Sequence, residues 1–201
     1  IDKIVAFCDG LMVARGDLAV EVPFEQLTYW QKMIIAKCRL AGKPVITATQ
    51  MLKSMVDQPR PTRAEVSDVA HAVYDSTSAV MLSEETTIGK YPVKAVATQA
   101  KIAAYNEQFV ETQLGDWIDE DTTAALTHTA VDLLAHSQHS IDQIICLTET
   151  GHTAKMLARF CPPVPVMAVT ASEQVYAKLA VVYGVEAHKI DWAKISGKKG
   201  E

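Results

Sequence analysis

A chain of 201 residues, 49% of them apolar and 21% charged, has enough material for one large or two small hydrophobic cores. Its formal net charge of −5, with lysines and arginines scattered and only Lys198 and Lys199 bunched, excludes a basic field for nucleic acid. No uninterrupted apolar run approaches the roughly 18 residues of a membrane span, so no membrane partner is expected either.

The four cysteines, Cys8, Cys38, Cys146 and Cys161, have no CxxC spacing and lie in or beside apolar segments, the pattern of reduced thiols in a cytoplasmic protein. The chain begins with Ile1 rather than Met, in a strand-like run, and no secretory pattern opens it. Further sequence is expected upstream.

Short apolar or β-branched runs then alternate with stretches of helical period, the signature of βα units around parallel sheets. The first predicted strand, 11–14, breaks into Arg15-Gly16-Asp17. Leu27, Trp30, Ile34 and Cys38 follow on one helical face. The second strand, 45–49, ends at Thr49, and Thr62 with Glu65 has capping-box spacing at a helix start. The third strand, 79–83, ends in Ser83, Glu84 and Glu85, before a helix with Val93, Val96, Ala97, Ala100 and Ala104 on one face. Segment 113–123, acidic and without an apolar face, reads as a linker, which places a domain boundary near Val110 and divides the chain into 1–110 and 111–201. Beyond it come a helix with a Leu126, Ala130, Leu133 and Leu134 stripe, strands 144–148, 166–170 and 185–190, and a helix lined by Val175, Leu179 and Val182. Thr170 and Glu173 repeat the capping-box spacing.

Polar groups collect at strand carboxyl ends, where α/β folds gather ligand-binding groups. In Arg15-Gly16-Asp17 the glycine allows close backbone approach to a ligand, and the carboxylate suits a hard divalent cation; a capped strand-to-helix turn explains the same residues. Thr49 offers its hydroxyl to a substrate or caps the next helix. Glu84 and Glu85 read as metal or acid/base groups or, by base rate, as a solvated loop. Thr148, Thr150, Gly151, His152 and Thr153 run from strand into helix as a phosphate cradle with free amides, with helix capping as the competing account. His136 and His139 lack zinc-ligand company and read as surface or capping groups.

Taken together and in order, MVARGDL (12–18), KPVITATQML (43–52), PRPTRAEVSDVA (59–70) and AVMLSEET (79–86) closely resemble the pyruvate kinase family, over residues 4–190. TETGHT (148–153) stands in place of that family's effector-phosphate loop. The resemblance implies an α/β fold: the last three βα units of a TIM (β/α)8 barrel, then a truncated three-layer α/β C-terminal domain. It implies phosphoryl transfer from phosphoenolpyruvate to ADP, giving pyruvate and ATP in glycolysis, with Mg²⁺ (or Mn²⁺) and K⁺ as cofactors. Ala14, Arg15, Gly16 and Asp17 would bind substrate, amides near Gly16 and Asp17 holding its carboxylate. Asp17 would ligate the Mg²⁺, Thr49 would sit beside the reacting carbon, and Ser83 and Glu85 would play supporting catalytic roles.

The family's other metal carboxylate, its phosphoryl-facing lysine, its potassium and nucleotide ligands and its lid domain match nothing in this sequence. The chain alone is therefore expected to be inactive. A phosphorylated effector and a homotetramer are further implications. Glu84 and Ala19 replace customary glycines, and His71 stands where asparagine is common. Two rival readings share the residues: a non-catalytic phosphometabolite-binding or assembly module, and a metal-dependent aldolase, against which the C-terminal strands argue.

Overall fold

The computed structural model describes residues 1–115, 121–137 and 140–191, which leaves His139, Lys198 and Lys199 outside the described residues. The chain divides into two compact units, Ile1–Val110 and Glu111–Glu201. No helix among the described residues is long and apolar enough to cross a membrane.

The first unit opens on a helix, α1 (Asp2–Phe7), where a strand-like run was expected. Lys37, from a later helix, donates to the Asp2 carboxylate at 2.5 Å, and Val5 alone of α1 turns into the core. Next come β1 (Leu11–Ala14), α2 (Arg15–Glu21), a 3-10 turn (Phe24–Gln26) and α3 (Leu27–Leu40). They are followed by β2 (Val45–Ala48), a second 3-10 turn (Lys53–Val56), α4 (Arg63–Tyr74), β3 (Ala79–Met81), α5 (Glu84–Thr87) and α6 (Pro92–Glu107). The strands form one parallel sheet in the order β1-β2-β3, with Val13 beside Thr47 and Thr47 beside Val80.

Two strands stop short of their predicted ends, so Thr49 and Ser83 lie in the loops that follow them. Both positions leave extended geometry: Thr49 has φ 70°, and Ser83, with φ −128° and ψ −98°, caps α5. One core joins Val5, Val13, Ile35, Cys38 and Val45; another joins Met51, Leu52, Met55, Val69, Ala72 and Ala95. None of the four cysteines forms a disulfide, and burial pushes the Cys38 thiol up to about 11.

The buried face of α3 runs through Gln31, Ile35 and Cys38, leaving Leu27, Trp30 and Ile34 at its margin. In α6 the expected stripe is wrong: Val93, Val96, Ala97, Ala100 and Ala104 are exposed, and Ala95, Gln99 and Ile102 turn inward. The small side chains of Ala95 and Ala72 let α6 lie close on α4, and that packing decides the face.

The Thr62 capping box forms as expected: Thr62 Oγ1 accepts from the Glu65 amide at 3.2 Å, and Glu65 accepts from the Thr62 amide at 2.7 Å. Glu65 also accepts from Ser54 N at 2.6 Å and Ser54 Oγ at 2.5 Å, tying the second 3-10 turn to the start of α4. Burial alone would raise the Glu65 pKa, but the Ser54 and Thr62 hydrogen bonds together hold it below its ordinary value. A lowered folded pKa means stability that is complete above the ordinary glutamate range and lost as pH falls through the folded value. Glu65→Gln is expected to cost about 1–3 kcal/mol at neutral pH. In urea melts its deficit relative to the parent should shrink on acidification; a deficit independent of pH would remove the carboxylate from this role.

In the second unit, α7 (Thr122–His136), β4 (Ile144–Leu147), α8 (His152–Ala158), β5 (Val166–Thr170), α9 (Glu173–Leu179) and β6 (Val185–Lys189) follow in order. The sheet is parallel, β4-β5-β6, and β4 and β6 each end one residue earlier than predicted. Cys146, Val166 and Ala168 join Val131, Leu157, Phe160, Val175 and Leu179 in one core; Val175 and Leu179 line α9 as expected, whereas Val182 packs on the core from the turn after the helix has ended. Strand alternation turns Ile145 and Leu147 the other way, and they remain 65% and 64% exposed.

The α7 stripe holds in part: Ala130 packs on the core and Leu134 is half-buried, but Leu126 and Leu133 are exposed, and the buried face runs through Ala124, Thr127 and Val131. The N-cap of α9 is Ser172, whose hydroxyl accepts from Val175 N at 3.3 Å; Thr170 Oγ1 instead accepts from Ser172 N. The predicted linker is partly structural, since Gln113 N donates to Phe160 O at 2.8 Å and Asp121 caps α7. Residues 116–120 of it lie outside the described residues.

Candidate functional site

The first unit's strands all run the same way, so their carboxyl ends deliver three loops to one edge of the sheet. There, Gly16, Thr49, Gln50, Lys53, Ser83, Glu84 and Glu85 line a cavity of about 220 Å³. Four of the expected residues, Gly16, Thr49, Ser83 and Glu85, therefore come together from loops after three different strands.

The geometry of the Thr49 loop comes from Arg15. Its Nη1 donates to both Asp68 oxygens at 2.6 and 2.7 Å, Nε to Ala48 O at 3.1 Å, and Nη2 to Thr49 O at 2.5 Å, with Met51 Sδ 2.9 Å away. The planar fork reads the end of β2 from one side and α4 from the other. Its side chain is thus committed to protein groups and lines a separate cavity with Asp68. Under this grip Thr49 and Gln50 adopt φ 70° and 56°, consecutive left-handed residues without glycine. Such backbone costs about 1–3 kcal/mol per residue and persists only where surrounding contacts over-determine it. Gly16 N donates to Thr49 Oγ1 at 3.2 Å, and a Cβ at Gly16 would meet nothing within 4 Å, so that side is open to a ligand.

Glu85 overturns the solvated-loop expectation. It is fully buried, accepting from Leu52 N at 3.0 Å and Ser83 N at 2.9 Å. Its neighbour Glu84 points outward and pairs with Lys53. Asp17 is exposed in the first turn of α2 beside Gly16, and Ala14 is the last residue of β1. Among the described residues no group of three or more His, Cys, Asp or Glu is gathered to hold a metal ion. Asp17 offers one carboxylate, and Mg²⁺ sites commonly combine one or two carboxylates with substrate oxygens and water. The residue fits as part of a ligand set.

In the second unit, Thr148 Oγ1 accepts from Gly151 N at 2.9 Å, and Thr150 Oγ1 from His152 N at 3.3 Å. The amides expected to be free are engaged within the loop. Gly151 takes φ 81° as the N-cap of α8, with Val175 and Leu179 close behind it, so both conformation and space favour glycine. Thr153 lies in the first turn of α8. His152 Nε2 stands 3.4 Å from Asp121 Oδ2; the Thr123 amide first, and His152 second, hold Asp121 below the usual carboxylate range. A cavity of about 490 Å³ nearby is lined by Leu147, Thr148, Glu149, Val169, Thr170, Ala171 and Ser172. His136 Nδ1 lies 3.0 Å from Asp132 O, as a helix-end group should.

Sequence reasoning missed Asp68, Gln50 and Lys53. Asp68 stands 53 residues from Arg15, and neither periodicity nor spacing signals that pairing.

Parallel βα units with a polar cavity at their strand ends, followed in the chain by a second parallel α/β unit, define a two-unit α/β protein of the kind that gathers ligand-binding groups at strand carboxyl ends. Sequence models named "Pyruvate kinase, barrel domain" and "Pyruvate kinase, alpha/beta domain" match residues 1–96 and 124–197. The chain belongs to the pyruvate kinase family. It is 46% identical to a pyruvate kinase of Bacillus licheniformis over 93% of this chain and 32% of that protein. Against that of Geobacillus stearothermophilus it is 49% identical, over 92% and 32%. A crystal structure of a pyruvate kinase from Cryptosporidium parvum superposes with a TM-score of 0.84 at 38% identity, covering 94% of this chain and 39% of that one. The chain thus spans about a third of the length of the curated relatives it matches.

Proposed function

We propose that this chain is the segment of a pyruvate kinase that binds the three-carbon end of phosphoenolpyruvate, within a longer polypeptide that transfers its phosphoryl group to ADP. The convergence of Gly16, Thr49, Ser83 and Glu85 on one cavity supports the reading. Amides near Gly16 and Asp17 hold the substrate carboxylate, the long 3.2 Å bond from Gly16 to Thr49 giving way to it. The Thr49 hydroxyl lies beside the reacting carbon, positioned to move a proton when the enol becomes pyruvate. Glu85 orients Ser83 and Leu52 through their amides, and so shapes the cavity from below. Ala14 and Arg15 contribute as the frame of the binding turn.

Asp17 would hold Mg²⁺ or Mn²⁺, which when bound supplies charge neutralisation for the phosphoester. Potassium, nucleotide and phosphoryl-facing groups come from other parts of the polypeptide. A phosphorylated effector at Thr148, Thr150, Gly151, His152 and Thr153 would have to displace the intraloop bonds that now cap α8. Homotetramer assembly and a cytoplasmic setting complete the reading.

One carboxylate without its partners does not support phosphoryl transfer, so the isolated 201-residue chain should release no pyruvate in a coupled assay. The polypeptide encoded by the whole reading frame should do so. Turnover by the isolated chain near that of the longer one would refute the division of labour. Absence of turnover in the longer one, with binding of a sugar phosphate retained, would favour a non-catalytic phosphometabolite-binding module.

A further inference from the structure

We propose that Lys53 and Glu84 form a charge-cancelling strap across the mouth of the first unit's cavity, one that lets this chain carry a carboxylate beside an anionic substrate. The proposal rests on the phosphoenolpyruvate reading above. Glu84 stands where the family resemblance has glycine, and it lines the same cavity of about 220 Å³ as Gly16 and Thr49. A lone carboxylate there repels a phosphoester that brings its own carboxylate. The preceding cation, Arg15, is committed to Asp68 and backbone carbonyls and does not offset it.

Lys53 does. Its ammonium pairs with Glu84 Oε2 from the opposite loop, Lys53 opening the 3-10 turn after β2 and Glu84 opening α5 after β3. The two side chains keep 48% and 49% exposure, so the pair sits in water at the rim. A pair so exposed adds little to stability, and its main effect is on the field at the mouth. Inside it, Glu85 joins the same two loops through Leu52 N and Ser83 N. That inner clasp keeps the loops together when the outer strap is removed, so the charge of the strap is separable from the fold.

The test is steady-state kinetics of the full-length polypeptide with phosphoenolpyruvate varied, at low and high salt. Lys53→Met should raise KM about threefold to tenfold at low ionic strength, with a smaller change in kcat, because Glu84 is left unbalanced. The penalty should fade toward about 0.5 M salt as screening sets in. Adding Glu84→Gln to Lys53→Met should return KM to within about twofold of the parent, as should the charge-swapped pair Lys53→Glu with Glu84→Lys. An unchanged KM in Lys53→Met at low salt, a penalty insensitive to salt, or no rescue by Glu84→Gln would each overturn the strap. A parent without turnover would overturn the phosphoenolpyruvate reading and the strap with it, whereas a fully active parent with an indifferent Lys53 would sink the strap alone.

Discussion

Glu85→Ala is expected to destabilise the first unit by about 3–5 kcal/mol and to abolish pyruvate formation by the longer polypeptide. The carboxylate is fully buried and accepts from Leu52 N and Ser83 N, one oxygen to each amide. Alanine would strand both amides away from water and leave a void between the two loops. Glu85→Gln is the sharper probe. Its amide oxygen can serve one backbone N–H, while its amide nitrogen meets the other donor head-on, so a nearly isosteric change should still cost about 2–3 kcal/mol. Urea unfolding followed by far-UV circular dichroism would measure both variants. A Glu85→Gln midpoint equal to the parent's would show that the buried group needs only its shape, not its charge.

The second large effect is expected at Arg15. Arg15→Lys keeps the charge but loses the fork, and one ammonium cannot serve the Asp68 carboxylate, Ala48 O and Thr49 O together. A loss of about 2–4 kcal/mol should follow, because partners of a mostly buried ion pair are left unsatisfied. The catalytic consequence should exceed the energetic one. Arg15 holds the carbonyl of Thr49, whose φ is 70°, and in the role proposed for Thr49 a hydroxyl displaced by about 1 Å from its productive position would lower turnover by about 100-fold. Asp68→Asn should show a milder form of the same behaviour, with kcat falling more than KM rises. Full kcat in Arg15→Lys would mean that the Thr49 loop holds its shape without the guanidinium.

The order of elements was legible in the sequence because the strands 11–14 and 45–48 are apolar runs ended by polar or glycine-rich turns, and because Thr62 with Glu65 is a local signal whose hydrogen bonds lie within one helical turn. The faces of α6 and α7 were not. Both helices carry alanine on several sides, so more than one stripe satisfies a helical period, and the choice falls to close packing against another helix. At the candidate site, Gly16, Thr49, Ser83 and Glu85 follow strands, but position alone left capping and solvated-loop accounts open, and the family resemblance was what named them. Their fastening could not be read: Glu85 reaches Leu52 across 33 residues and Arg15 reaches Asp68 across 53, distances at which no spacing rule operates. A paired acid after a strand is usually wet; here two unpaired amides draw one member of the pair inside.

The tandem left-handed turn at Thr49 and Gln50 sets durability against chemistry. Glycine at Gln50 would relax the backbone and make a sturdier loop, yet a relaxed loop has no reason to keep the Thr49 hydroxyl aimed, and glycine at Thr49 would delete that hydroxyl outright. Gln50→Gly is therefore the exchange that would trade the aim of the Thr49 hydroxyl for a firmer fold at this corner.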